Sequence, residues 1–160
     1  NLWPPFAQTI LVLLMFVGGC SGSTAGSIKC GRILLLLRSS TRSLLRLSHP
    51  RAVRVVKLDG KVVDEETLRT VSSFFLCFFA LLGVGCLVVS LDGYSLTTSF
   101  TAALGCLSNV GPGLDLVGPM GNFGLLSGFN KVFLSLLMLI GRLEIFPILL
   151  LFLPSTWRRS

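Results

Sequence analysis

"LTTSFTAALGCLSNVGPG", residues 96–113, is the stretch on which the fold turns. Its first twelve residues carry no charge. As a helix they are about 18 Å long, too short for a hydrocarbon core about 30 Å thick. The chain then runs into glycine and proline, "SNVGPGLDLVGP", instead of extending the helix. Such an element is either an ordinary short core helix or a re-entrant membrane segment. Its neighbours decide which.

Upstream, "VSSFFLCFFALLGVGCLVVSL", residues 71–91, has 21 residues without a charge. That length spans about 31 Å and predicts a transmembrane helix. It is entered from "VDEET", where Asp64 is expected to cap the helix and Glu65 and Glu66 to favour its positive end. It leaves through "LDGY", a turn signal. Downstream, a second long apolar element covers residues 123–153, interrupted by Lys131, Arg142 and Glu144. It ends at "PSTWRRS", whose tryptophan and arginines suit a cytoplasmic interface.

Charge fixes the orientation. The 160 residues carry a net charge of +7, yet residues 29–69 alone hold ten Lys/Arg against four acids. Placing that block inside follows from the positive-inside rule. A nucleic-acid surface is the competing reading, and the block lacks the aromatics it would interleave. With residues 29–69 inside, the 71–91 helix exits outward and the last helix returns inward. Residues 96–107 must then enter and leave on the outer side. Parity makes them a re-entrant loop.

The same pattern occurs earlier. Residues 6–17 form another twelve-residue apolar piece, followed by "GGCSGSTAGSIK", residues 18–29. The next segment, 28–47, carries Lys29, Arg32, Arg38, Arg42 and Arg46, so it must be shielded by protein, line water, or leave the membrane early. "AVRVVKLDGKVVD", residues 52–64, places Asp59 and Gly60 between β-prone runs and predicts a short hairpin.

Composition agrees with a membrane protein: 52% hydrophobic, 13% charged, mean hydropathy +0.82. Asn1 is not an initiator methionine, and no signal peptide opens the chain, so it reads as a piece of something longer. The five cysteines show no metal spacing and their number is odd, which argues against a disulfide framework. Enzyme readings fail on the residues. "GSTAGSIK" lacks the phosphate-loop spacing, no G-x-S-x-G elbow can be read, and His49 has no catalytic companions.

Non-helical backbone at membrane depth is tolerated where protein buries it or water reaches it. Two glycine-rich segments, each behind a half-length helix, suit carbonyl oxygens turned toward a dehydrated cation. The helix before each adds its negative C-terminal end. Glycine for tight helix packing is the alternative, and it accounts for Gly83 and Gly85. Arg142 is the other conspicuous residue, expensive within a bilayer unless it faces the bundle interior or water. Lys131, eleven residues earlier, returns to nearly the same helical face, so the two cations form a stripe expected beneath the filter. Glu144 faces away from Arg142, and Pro147 is expected to kink the helix.

"GGCSGSTAGSIK", "SNVGPGL" and above all "NKVFLSLLMLIGRLEIFPILLLFLPSTWR", residues 130–158, resemble the Trk/Ktr/HKT superfamily of potassium-uptake channels, specifically the C-terminal part of the TrkH type. The resemblance covers essentially the whole chain. It implies an all-α membrane protein of M1–pore helix–filter–M2 repeats around a pseudo-fourfold pore, with about one and a half repeats present. Residues 1–47 would be pore helix, filter and M2 of repeat three. Residues 48–66 would be a basic cytoplasmic loop, and 67–160 the fourth repeat.

Carried over by position, the third filter is Cys20, Ser21, Gly22, Ser23 and Thr24, and the fourth is Asn109, Val110, Gly111, Pro112 and Gly113. The family's filter glycine falls on Gly22 and Gly111, whose carbonyls would hold K+. The family's gate arginine matches Arg142. "TAGS" replaces a commoner glycine-richer continuation after the third filter.

The resemblance further implies potassium uptake, no enzyme activity, no covalently bound cofactor, and a multi-pass location in a bacterial inner membrane. Its implied partners are K+, membrane lipid, a second copy and a cytosolic nucleotide-binding regulatory subunit, with residues 39–61 available for docking and no nucleic acid bound. Two rival readings are an ion-coupled carrier with discontinuous helices and a non-conducting membrane interaction fragment.

Overall fold

A computed structural model describes residues 3–18, 28–48, 57–58 and 61–143. The elements in chain order are α1 (Pro5–Phe16), α2 (Cys30–Ser48), β1 (Lys57–Leu58), β2 (Lys61–Val62), α3 (Glu65–Ser90), α4 (Leu96–Leu107) and α5 (Gly128–Arg142). Two short 3-10 turns, Asp115–Val117 and Phe123–Leu125, lie between α4 and α5. The expected filter residues Cys20, Ser21, Gly22, Ser23 and Thr24 lie outside the described residues, as do Asp59, Gly60, Glu144, Pro147 and the 154–160 tail.

α3 has 26 residues, about 39 Å of helix, and is long and apolar enough to cross a membrane. It starts before residue 71, because Glu65 and Glu66 occupy its first turn and favour the positive helix end. Asp64 stands at the N-cap, yet its side chain makes no capping hydrogen bond, contrary to expectation. At the far end the chain turns through Gly93, with φ +81°. One face of α3 is buried through Phe74, Phe78, Leu82 and Val89. The opposite face leaves Leu76, Phe79, Val84 and Leu87 exposed, an apolar surface suited to lipid.

α4 sits at the centre. Ser95 caps it by accepting from Thr98 N, and residues 101–107 are all buried. Beyond its exposed first residues, Leu96 and Thr97, α4 is uncharged and enclosed by other protein. It is packed between α3 and α5, with α1 against it as well. Gly85 of α3 allows that approach, since a Cβ there would come to 3.1 Å from both Ala103 Cβ and Leu137 Cδ2. Gly83 has nothing within 4 Å and plays no packing part, against the sequence expectation.

α1 joins the same core. Phe16 lies 6.3, 6.0 and 6.3 Å, centroid to centroid, from Phe78, Phe79 and Phe100. Beyond α1, Val17 and Ile28 form a parallel bridge, and Gly18 N donates to Ile28 O. α2 then runs along α3. Of its arginines, Arg32 and Arg42 are half-buried against protein, whereas Arg38 is exposed. Arg32 lies 4.3 Å above the Phe74 ring, and Arg42 pairs with Glu65 at 3.0 Å. The expected hairpin is present as β1 and β2, antiparallel, with Leu58 opposite Lys61 across a two-residue connection.

The last long apolar run is not one helix from residue 123. Residues 123–125 form a 3-10 turn, and α5 begins only at Gly128. Ser127 sets that start by accepting from Asn130 N.

Candidate ion-conduction segment

α4 ends in a helix-terminating motif that creates the geometry of residues 109–113. Asn109 takes φ +55°, a left-handed conformation that asparagine tolerates better than most residues. Asn109 N donates to Cys106 O at 3.1 Å, and Val110 N to Gly105 O at 3.0 Å. These are the paired bonds of a Schellman cap. Gly111 N adds a further bond to Gly105 O, at 3.2 Å. The amides of three successive residues thus point back at the helix end.

The chain then climbs back along α4. Gly111 has φ +100°, a conformation that L side chains resist. At Gly105, a Cβ would lie 3.0 Å from the Gly111 carbonyl oxygen and 3.4 Å from that of Pro112. Glycine at 105 thus eases the close passage of the returning strand, where a Cβ would be tighter than ordinary contact. Gly113 is equally confined, since a Cβ there would meet Val117 Cγ2 at 2.7 Å and Thr101 Oγ1 at 2.9 Å. The buried Thr101 hydroxyl accepts from Leu114 N at 3.0 Å and donates to Thr97 O at 2.7 Å. Asp115 then reaches the first turn of α4, accepting from Ser95 Oγ at 3.0 Å and Thr98 Oγ1 at 2.7 Å. Thr98 first and Ser95 second hold the Asp115 carboxyl below the ordinary carboxylate range. Residues 95 and 115 are therefore at one end of α4. The segment goes in and comes out on the same side.

All five residues from Asn109 to Gly113 lie in this returning stretch. Among the described residues, none of their carbonyl oxygens accepts a hydrogen bond. Val110 and Pro112 are exposed and border an apolar cavity of about 470 Å³, with Leu14 and Met15 of α1 on its other wall. Asn109 is anchored from behind, its Nδ2 donating to Met138 O of α5 at 3.1 Å. The helices meet tightly here, because a Cβ on Gly141 would overlap the Leu107 carbonyl.

Arg142 lies one turn beyond Met138 and is exposed. Lys131 stands at the opposite end of α5, in its first turn, with Nζ donating to Gly124 O at 2.8 Å. The stripe expected beneath the filter therefore separates along the helix. Eleven residues, about 16 Å, place Lys131 beside the 123–125 turn, on the other side of Asn109 from Arg142. Sequence reading missed Thr101 and Asp115 as supports of the returning strand. Their partners lie 13 to 20 residues away and leave no local pattern.

Residues 1–159 match the family model described as TrkH, cation transport protein. The chain is 38% identical over 156 residues to the Trk system potassium uptake protein TrkG of Escherichia coli K12. It is 39% identical to TrkH of the same strain. In each case 98% of this chain is covered and 32% of the relative. The crystal structure of the potassium transporter TrkH from Vibrio parahaemolyticus superimposes with a TM-score of 0.87 at 38% identity. That match covers 98% of this chain and 33% of that one. The chain thus spans about a third of the length of the relatives it matches. These relatives are transport proteins and not enzymes. By sequence over nearly its full length, and by fold, this chain belongs to the TrkH family of cation transport proteins.

Proposed function

We propose that this chain forms part of a potassium-uptake channel subunit, with residues 109–113 as one strand of its selectivity filter. A single observation carries the reading. The amides of residues 109–111 are spent on the end of α4, while the carbonyls of 109–113 accept nothing among the described residues. A dehydrated cation needs oxygen ligands of that kind. The negative end of α4 points into the same place and adds to the attraction.

On this reading residues 67–160 are a fourth M1–pore helix–filter–M2 repeat, with α3, α4 and α5 in those roles. Residues 1–47 are pore helix, filter and M2 of the third, with Cys20, Ser21, Gly22, Ser23 and Thr24 as its filter strand and K+ held by the Gly22 and Gly111 carbonyls. Residues 48–66 are the cytoplasmic connection. The exposed side of Val110 and Pro112, with its cavity, faces the pore. Arg142 is the gate charge on the inner side, and Lys131 braces the outer turn. The full-length subunit works in a bacterial inner membrane, as a homodimer with a nucleotide-binding regulatory partner. It has no cofactor of its own.

The test is ion flux through the full-length channel in liposomes. Wild type takes up K+ in preference to Na+, and Gly111→Ser lowers that preference about tenfold with unchanged protein yield. Absence of K+ uptake by wild type, or an unchanged preference in Gly111→Ser, overturns the assignment.

A further inference from the structure

Two residues past Gly113, Asp115 occupies an unusual place. Its φ is +59°, and its carboxylate lies over the first turn of α4, bound by Ser95 and the buried Thr98. That turn is the positive end of the half-length helix. Left bare, it would repel a cation approaching the strand from this side. Asp115 remains exposed while so bound, so its charge acts on the helix end and on the solvent together.

We propose that Asp115 sets the apparent affinity with which cations enter the filter, by cancelling the positive end of α4 and holding negative charge at the outer mouth. This rests on the potassium-channel reading above. The distance supports it: two residues place the Asp115 and Gly113 Cα atoms within about 7 Å, inside the Debye length of about 8 Å at physiological salt. The other charged described residues at this end, Asp92 and Lys131, keep their charges and their bonds in an Asp115 variant, so they do not account for a change in it. Asp92 accepts from Ser127 N, and Lys131 donates to Gly124 O. The ordinary capping role predicts something different, a loss of folded protein without a change in ion affinity.

Asp115→Asn separates these, because asparagine tolerates positive φ and keeps an acceptor for both hydroxyls. In full-length channels in liposomes, the KM for K+ is expected to rise about two- to threefold at low ionic strength, with the maximal rate unchanged. Raising ionic strength with an impermeant salt should erase the difference. Leu116→Lys, an added positive charge on an exposed neighbour that makes none of these bonds, should raise KM in the same way. Thr98→Val, which loosens Asp115 but leaves its charge, should not. An unchanged KM in both Asp115→Asn and Leu116→Lys overturns the inference, as does an equal rise in Thr98→Val. Absence of K+ uptake by wild type would instead refute the channel reading itself.

Discussion

At Gly111 a Cβ would touch nothing within 4 Å, yet φ is +100°; at Gly113 φ is unremarkable, yet a Cβ would strike Val117 and Thr101. One glycine answers to backbone angle and the other to space, so substitutions should fail differently. At Gly111 ion preference changes in a folded protein, whereas at Gly113 packing against α4 is lost first. Arg142 is a third residue with a separable effect. Its charge sits one turn past the Met138 carbonyl that anchors Asn109. At about 4 Å and an effective dielectric near 20, repulsion between it and a permeating cation is about 4 kcal/mol; water in the pathway reduces this. Arg142→Ala should raise K+ flux per folded full-length channel and leave K+ over Na+ preference unchanged. If Arg142, exposed in this chain, is instead buried against a carboxylate in the full-length channel, the same change costs about 3–5 kcal/mol of stability without raising unitary flux. Single-channel flux normalised to folded protein distinguishes the two.

Among the elements, α5 shows how a distant residue sets a boundary. Asp92, in the turn after α3, accepts from Ser127 N at 3.0 Å, and so holds the residue that caps α5. The hydrogen bond from the Ser127 backbone N–H holds the Asp92 carboxyl below its ordinary value of 3.8. A carboxyl whose folded pKa is depressed contributes stability above the unfolded value, and loses it as pH falls through the folded one. Acid unfolding of the α5 start should therefore include an Asp92 component confined to pH below about 4. Asp92→Asn should remove that component, as read by amide exchange at residues 127–131. This long-range bond also explains why α5 starts only at Gly128 although the apolar run begins at residue 123. The apolar run there is continuous, and nothing local announces that Tyr94 Oη reaches Leu125 O at 2.7 Å or that Asp92 holds Ser127. α4 was legible because its apolar run and the glycine-rich stop after it are local, while the Ser95 cap before it emerged only from the structure. The five residues of the returning strand were legible from the family motif. Their support by Gly105, Thr101 and Asp115 was not, since close approach and side-chain bonding across 13 or more residues have no sequence period. Asp64 shows the converse. A good capping residue in the right place makes no cap bond, while Glu65 turns to Arg42 of α2.

For the whole molecule, the half-length helices α1 and α4 converge beside one another, and α3 alone among the described helices has the length and apolarity to span a bilayer. The two ends of α3 differ in charge. Its start pairs with Arg42 and follows the lysine-bearing strands β1 and β2 in the chain, whereas its end carries Asp92. On the proposed orientation, with positive charge on the cytoplasmic side, the hairpin lies inside and the 92–127 turns outside. Geometry then makes a second, independent demand. Because Ser95 and Asp115 meet at one end of α4, and Asp92 and Ser127 meet nearby, all four must label from the same side. Single cysteines at positions 92 and 115 in a full-length, otherwise cysteine-free channel should react with an impermeant maleimide in intact cells. A cysteine at Lys57 should react only after the membrane is opened. Labelling of 92 and 115 from opposite sides would contradict the re-entrant geometry of α4 itself. Labelling of all three from outside would leave that geometry standing and refute the charge-based orientation, along with the inner position given to Arg142.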